Sequence, residues 1–130
     1  MPRILIIDDS PSTLEAVAMM LVRAGHQVRS CADGKRAQEM IKREAFDLIL
    51  TDIFMPERDG LQLILAARRL RPEVPIVAMS GMSGTLDMLP VARHLGACQL
   101  LRKPFSNTDL LAVVEVALAT PPLCVTGHQL

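Results

Sequence analysis

The chain has no tryptophan and no tyrosine, and only three phenylalanines among its 130 residues. A core built from aromatic rings is excluded, so a sequence that is 50% hydrophobic must pack Leu, Ile, Val, Ala and Met. Cysteine is scarce and odd in number. Cys31, Cys98 and Cys124 form no CxxC pair and no His–Cys ligand spacing, which argues against a disulfide framework or a zinc site and for reduced thiols. No run approaches the ~18 apolar residues of a membrane-spanning helix, and the short apolar stretch before Asp8 is too brief for a secretion signal. Excess charge is missing as well. Fourteen Lys and Arg balance fourteen Asp and Glu, so neither nucleic acid nor a membrane is expected as a direct partner. The expectation is a cytoplasmic protein with one domain over residues 1–120 and a flexible tail over 121–130.

Short apolar runs alternate with longer stretches of helical period, the pattern of an α/β fold with a parallel sheet. Strands are expected at Arg3 to Ile7, His26 to Ser30, Phe46 to Thr51, Ile76 to Met79 and Cys98 to Arg102. Between the first two, Asp9 or Ser10 caps a helix that has Pro11 in its first turn, Leu14, Val17, Ala18 and Leu21 on one face, and Gly25 at its end. Asp33 caps a second helix, with Ala37, Met40 and Ile41 inward. Asp59 caps a third over about 60–70, with Leu61, Ile64 and Leu65 inward. A fourth over about 85–95 contains Pro90 and should be short or bent, because an interior proline costs roughly 3 kcal/mol. Ser106 and Asp109 form an imperfect capping box for the fifth, whose inward residues are Leu110, Val113, Val114 and Ala117. The prolines at 121 and 122 stop it.

All the strands but the second lead into residues able to handle phosphate: Asp8 and Asp9, Asp52, Ser80, and Lys103. Ligands of open parallel sheets bind outside the carboxyl ends of the strands, so these side chains would share one crevice. Adjacent acids after a strand can also serve merely to favour the next helix N-terminus. Three carboxylates together, however, repel by roughly 3 kcal/mol per pair at ~5 Å and an effective dielectric near 20. A divalent cation removes that penalty, and the hard oxygen donors favour Mg2+ over Zn2+.

Asp8-Asp9, the segment Thr51-Asp52-Ile53-Phe54-Met55-Pro56-Glu57-Arg58-Asp59-Gly60, Ser80-Gly81 and Lys103-Pro104-Phe105 together resemble the receiver domain of two-component response regulators. The resemblance covers residue 3 to about 119. It implies a doubly wound, flavodoxin-like (βα)5 fold with a five-stranded parallel sheet ordered 2-1-3-4-5. Asp52 then matches the phospho-acceptor, and Asp9 the principal Mg2+ ligand. Asp8 would reach the ion directly or through water, and Phe54 would lend a backbone carbonyl. Ser80 matches the switch hydroxyl. Lys103 matches the ammonium that pairs with phosphate and, beforehand, with Asp52. Pro104 matches a proline whose preceding bond is often cis. The implied partners are a histidine kinase or histidine phosphotransfer protein and a downstream protein effector. The kinase would meet the first helix at Pro11, Ser12 and Glu15; the effector, or a homodimer, would use the fourth helix, fifth strand and fifth helix. No output domain is expected so close to the end of the fifth helix.

Departures from the family pattern are informative. Leu100 stands where receivers usually carry a Tyr or Phe that swings inward on activation, so the response is expected in the 80–84 loop and fourth helix instead. Phe54 and Met82 are apolar where polar side chains can place the hydrolytic water, implying slow self-dephosphorylation. Two rival readings remain. A haloacid-dehalogenase-like phosphatase also combines Asp, Mg2+, Ser and Lys, but would need an acid where Ser10 stands; a non-phosphorylated pseudo-receiver would need only a binding face. His26, His94 and His128 and the methionines carry no chemistry in any of these readings.

Overall fold

The computed structural model describes residues 1–53, 60–81 and 89–119. The elements alternate strictly: β1 (Arg3–Ile7), α1 (Pro11–Arg23), β2 (Gln27–Cys31), α2 (Gly34–Arg43), β3 (Leu48–Asp52), α3 (Gly60–Leu70), β4 (Ile76–Ser80), α4 (Leu89–Leu95), β5 (Gln99–Arg102) and α5 (Asn107–Ala119). The strands form one parallel sheet in the order β2-β1-β3-β4-β5, as the resemblance implied. Successive strand side chains point to opposite faces, and the core divides accordingly. Ile4, Ile6, Leu48, Leu50, Val77 and Met79 pack with Val17 and Leu21 of α1 and Leu110, Val114 and Ala117 of α5. On the other face, Leu5, Ile7, Ile49, Ile76 and Ala78 meet Ala37 and Ile41 of α2, Leu63, Ile64 and Ala67 of α3, and Ala92 of α4.

Local signals explain where the helices begin. The Ser10 hydroxyl accepts the Thr13 N–H at N-cap of α1, with Pro11 following. Asp33 does the same for α2 by accepting from Lys35 N. At α5 the capping box closes in both directions, Asp109 N donating to Ser106 Oγ at 3.0 Å and Ser106 N to Asp109 Oδ2 at 3.2 Å. An aspartate is long enough for this role. Pro90 is the second residue of α4 as described.

Three expectations are corrected. Leu65 is exposed rather than inward, because α3 buries Leu63, Ile64 and Ala67, a face rotated away from residue 65. Strand β3 starts at Leu48, so Phe46 is buried ahead of it. Cys31 is a buried free thiol, but Cys98 is disulfide-bonded; sequence spacing does not reveal which thiols meet in space. The expectations for Asp59 as a cap and for residues 85–88 and 121–130 lie outside the described residues.

Gly96 joins α4 to β5 at φ +135°, a conformation that L side chains rarely adopt. A Cβ there would also stand 2.7 Å from Arg68 Cγ, whose guanidinium donates to the Gly96 carbonyl oxygen at 3.3 Å. Gly96→Ala is therefore expected to lower stability by about 1–3 kcal/mol, read as a fall in urea midpoint. An unchanged midpoint would show that the turn is free to relax.

Candidate functional site

The sheet order reverses between β1 and β3, which feed α1 and α3 on opposite faces, so a crevice opens beyond their carboxyl ends. Asp8 follows β1 and Asp52 ends β3. Both are buried, with relative exposures of 0% and 5%, whereas Asp9 is exposed. One carboxylate oxygen from each of Asp8, Asp9 and Asp52 lies within 4.8 Å of the others. The three acids expected to converge do so, and they could hold a metal ion.

Backbone contacts set this geometry. Asp8 N donates to Cys31 O of β2 at 3.1 Å, and Ile53 N to Met79 O of β4 at 2.9 Å, so both acids sit where the ladders finish. Ser80 closes β4 and is only 2% exposed. Its hydroxyl donates to the Gly81 carbonyl oxygen at 3.3 Å. Its carbonyl accepts the Lys103 N–H at 2.7 Å, which anchors the residue after β5. The Lys103–Pro104 bond is cis.

The Lys103 ammonium donates to Asp8 Oδ2 at 2.6 Å and stands 3.7 Å from Asp52 Oδ2. The expected contact with Asp52 exists, but the closer partner is Asp8. Sequence reasoning also missed the Ser10 backbone N–H, which donates to Asp8 Oδ1 at 2.9 Å. An aspartate binding an N–H two residues on is a common turn device, and the Asp-x-Ser-Pro order could have signalled it.

Leu100 is half-buried against the α2–α4 face, in register with Ala78. Phe54 and Met82 lie outside the described residues. Beside the crevice, Ser12, Thr13, Ala16 and Met20 of α1 face Lys103, Pro104 and Phe105 across a groove of about 320 Å³. A second groove, of about 460 Å³, continues from Ala16 and Met20 to Met19, Arg23, Asn107 and Leu111 between α1 and α5.

Residues 4–115 match the response regulator receiver domain. The chain belongs to that family. Among curated relatives of this receiver, the DNA-binding transcriptional regulator NtrC of Azospirillum brasilense is 35% identical over 121 residues, 92% of this chain and 25% of the relative. The response regulator protein PilR of Pseudomonas aeruginosa is 38% identical over 114 residues, again covering 25% of its length. The chain thus spans about a quarter of these two relatives. Among solved structures, the NtrX receiver domain of Brucella abortus superposes with a TM-score of 0.85 at 34% identity, covering 90% of this chain and 98% of that one. Chemotaxis protein CheY4 of Vibrio cholerae gives 0.82 at 28% identity, with coverages of 90% and 98%. No described helix is long and apolar enough to cross a membrane.

Proposed function

We propose that this receiver accepts one phosphoryl group on Asp52 from a histidine kinase or histidine phosphotransfer protein, with Mg2+, and thereby switches a protein contact in the cytoplasm. The observation that carries the reading is the convergence of the Asp8, Asp9 and Asp52 oxygens beside the Lys103 ammonium. Three hard oxygen donors around one point fit Mg2+, which takes one or two carboxylates and keeps its remaining positions for water and phosphate. Asp9 and Asp8 would hold it, with Asp52 and the Phe54 carbonyl completing the set. When bound, the ion neutralises charge on the phosphoryl oxygens.

The chain's own residues do the rest. An Asp52 carboxylate oxygen attacks phosphorus, the O–P bond forms as the P–N bond of the phosphohistidine breaks, and the donor imidazole leaves with the electron pair. Lys103 stands close enough to pair with the resulting phosphate. Ser80, buried beside the crevice, would exchange its Gly81 contact for a phosphoryl oxygen. With Leu100 half-buried already, the response would be carried by the loop after Ser80 and by α4, and Pro104 would fix the path of the β5–α5 loop. The donor would approach over Pro11, Ser12 and Glu15, all exposed on α1, and along the adjoining grooves. The surface of α4, β5 and α5 would serve an effector or a second copy. Residues 1–120 would form the working domain.

Incubation with acetyl phosphate and Mg2+ is expected to add the mass of one phosphoryl group to the intact chain, and chelation of Mg2+ to prevent it. No adduct under saturating acetyl phosphate would end the reading. The protein should not turn over p-nitrophenyl phosphate, which a phosphatase would hydrolyse.

Two further outcomes follow from the same site. Mg2+ at a hundred times its dissociation constant should stabilise the fold by about 2.7 kcal/mol, seen as a rise in Tm that Asp9→Asn removes; equal shifts in both proteins would place the ion elsewhere. The aspartyl phosphate should hydrolyse slowly, since Phe54 and Met82 offer no polar group to place water. Phe54→Asn with Met82→Glu should shorten its half-life by about tenfold or more, and an equal half-life in both chains would refute the assignment.

A further inference from the structure

Cys98 is disulfide-bonded, and position and count together identify its partner. The chain has three cysteines. Cys31 is a buried free thiol whose Sγ donates to the Asp33 carbonyl oxygen at 3.1 Å, and it ends β2 at one edge of the sheet. Cys98 precedes β5 at the other edge. Four strand spacings, about 19 Å, separate the two edge strands, well beyond the roughly 7 Å that a disulfide allows between Cα atoms. Cys124 is the cysteine that remains.

The end of α5 brings Cys124 within range. Helix α5 returns from the carboxyl rim of the sheet to its amino rim, where Leu118 and Pro75, the residue ahead of β4, line one cavity of about 510 Å³. The Cys98 N–H donates to the carbonyl oxygen of Ile76, the next residue, at 2.8 Å. The foot of α5 and Cys98 therefore both border the start of β4. Cys124 stands five residues past Ala119, the last of α5. Five residues span up to about 17 Å, more than a strand spacing of about 4.8 Å and a helix diameter of about 10 Å together. Pro121 and Pro122 disfavour helix and favour extended backbone, which preserves that reach.

We propose that Cys98 and Cys124 form a reversible disulfide site, made and broken by exchange with small disulfides and thiols of the glutathione class, which straps the segment after α5 to the start of β5. Cys98 is half-buried, so a small reagent reaches it. One cysteine gives its proton to water and its thiolate attacks the small disulfide, forming a mixed disulfide as one small thiolate leaves. The second cysteine, deprotonated likewise, attacks the protein sulfur of that mixed disulfide, and the other small thiolate leaves. Two protein thiols are thereby oxidised to one disulfide, and one small disulfide is reduced to two thiols. Reduced reagent runs the exchange backwards. In a reducing compartment a bond of this kind is transient and regulatory. The loop it closes contains β5 and α5, two elements of the surface assigned above to an effector or a second copy, so the redox state sets how freely that surface moves. That consequence rests on the assignment; the bond does not.

The test is incubation of the native chain with oxidised glutathione, followed by intact-mass measurement and peptide mapping without reduction. The chain is expected to lose the mass of two hydrogens and to yield a peptide pair joined through Cys98 and Cys124, and reduced glutathione should restore both thiols. Cys124→Ser should instead stop at a mixed disulfide with glutathione on Cys98. A link from Cys98 to Cys31, or to Cys98 of a second chain, overturns the proposal, as does a native chain that carries glutathione on both cysteines without joining them. Closing the loop restricts the unfolded chain, so the oxidised native protein should melt about 10 °C above the reduced one; equal Tm values would overturn the strap. Amide hydrogen exchange in β5 and α5 should slow about tenfold on oxidation, and unchanged rates would overturn the effect on that surface. None of these measurements uses acetyl phosphate, so failure of the bond and failure of the Asp52 reading are told apart.

Discussion

Asp52→Asn is expected to take up no phosphoryl group from acetyl phosphate, a loss of at least about three orders of magnitude in rate. The amide keeps the shape of the side chain but has no anionic oxygen to attack phosphorus. The fold should survive, because the substitution removes one of three mutually repelling carboxylates, each pair worth roughly 3 kcal/mol at ~5 Å before solvent and counter-charge reduce it. The ammonium keeps its 2.6 Å partner, Asp8, so no cation is left stranded in the crevice. The variant should therefore melt no lower than the native chain, which separates a chemical defect from a structural one. Intact-mass measurement decides the matter. An adduct of equal yield on the Asn variant would move the acceptor to Asp8 or Asp9 and remove the proposed role from Asp52.

Legibility differed between fold and site for a physical reason. Strand pattern, caps and turn residues are local signals, and they placed the starts of α1, α2 and α5, at Asp9 or Ser10, at Asp33 and at Ser106. Apolar runs located the strands to within one or two residues; β2 was the weakest because it lies at the sheet edge, where exposed Gln27, Arg29 and Ser30 break the run. Which acids would meet was also legible, since a parallel sheet delivers every strand end to one rim. Pairing within the rim was not. Whether Lys103 lies nearer Asp8 or Asp52 depends on about an ångström of side-chain reach between two acids of the same type, and residue spacing carries no information at that scale. The facing of Leu65 failed similarly. Helix α3 is rich in apolar residues, so periodicity permits more than one buried face, and packing against α2 and α4 selects among them.

The largest stability loss is expected from Leu50→Ala. Leu50 is wholly buried in β3, the central strand, between Ile6 of β1 and Val77 of β4. It lies in the core that α1 and α5 cover. Removing its isobutyl group loses transfer free energy and leaves a cavity that a strand hydrogen-bonded on both sides cannot collapse to fill, a cost of about 3–5 kcal/mol. Against a total of about 5–15 kcal/mol for a domain, that is a major fraction, and Tm should fall by about 10–20 °C. Leu65→Ala removes the same atoms from a position 39% exposed and should cost less than about 1 kcal/mol. Equal losses in the two variants would mean that β3 does not hold Leu50 in the core. The contrast also bears on chemistry, because Asp52 lies two residues further along the same strand. If the strand shifts to fill the cavity, Leu50→Ala should slow phosphoryl uptake even at temperatures where the chain remains folded.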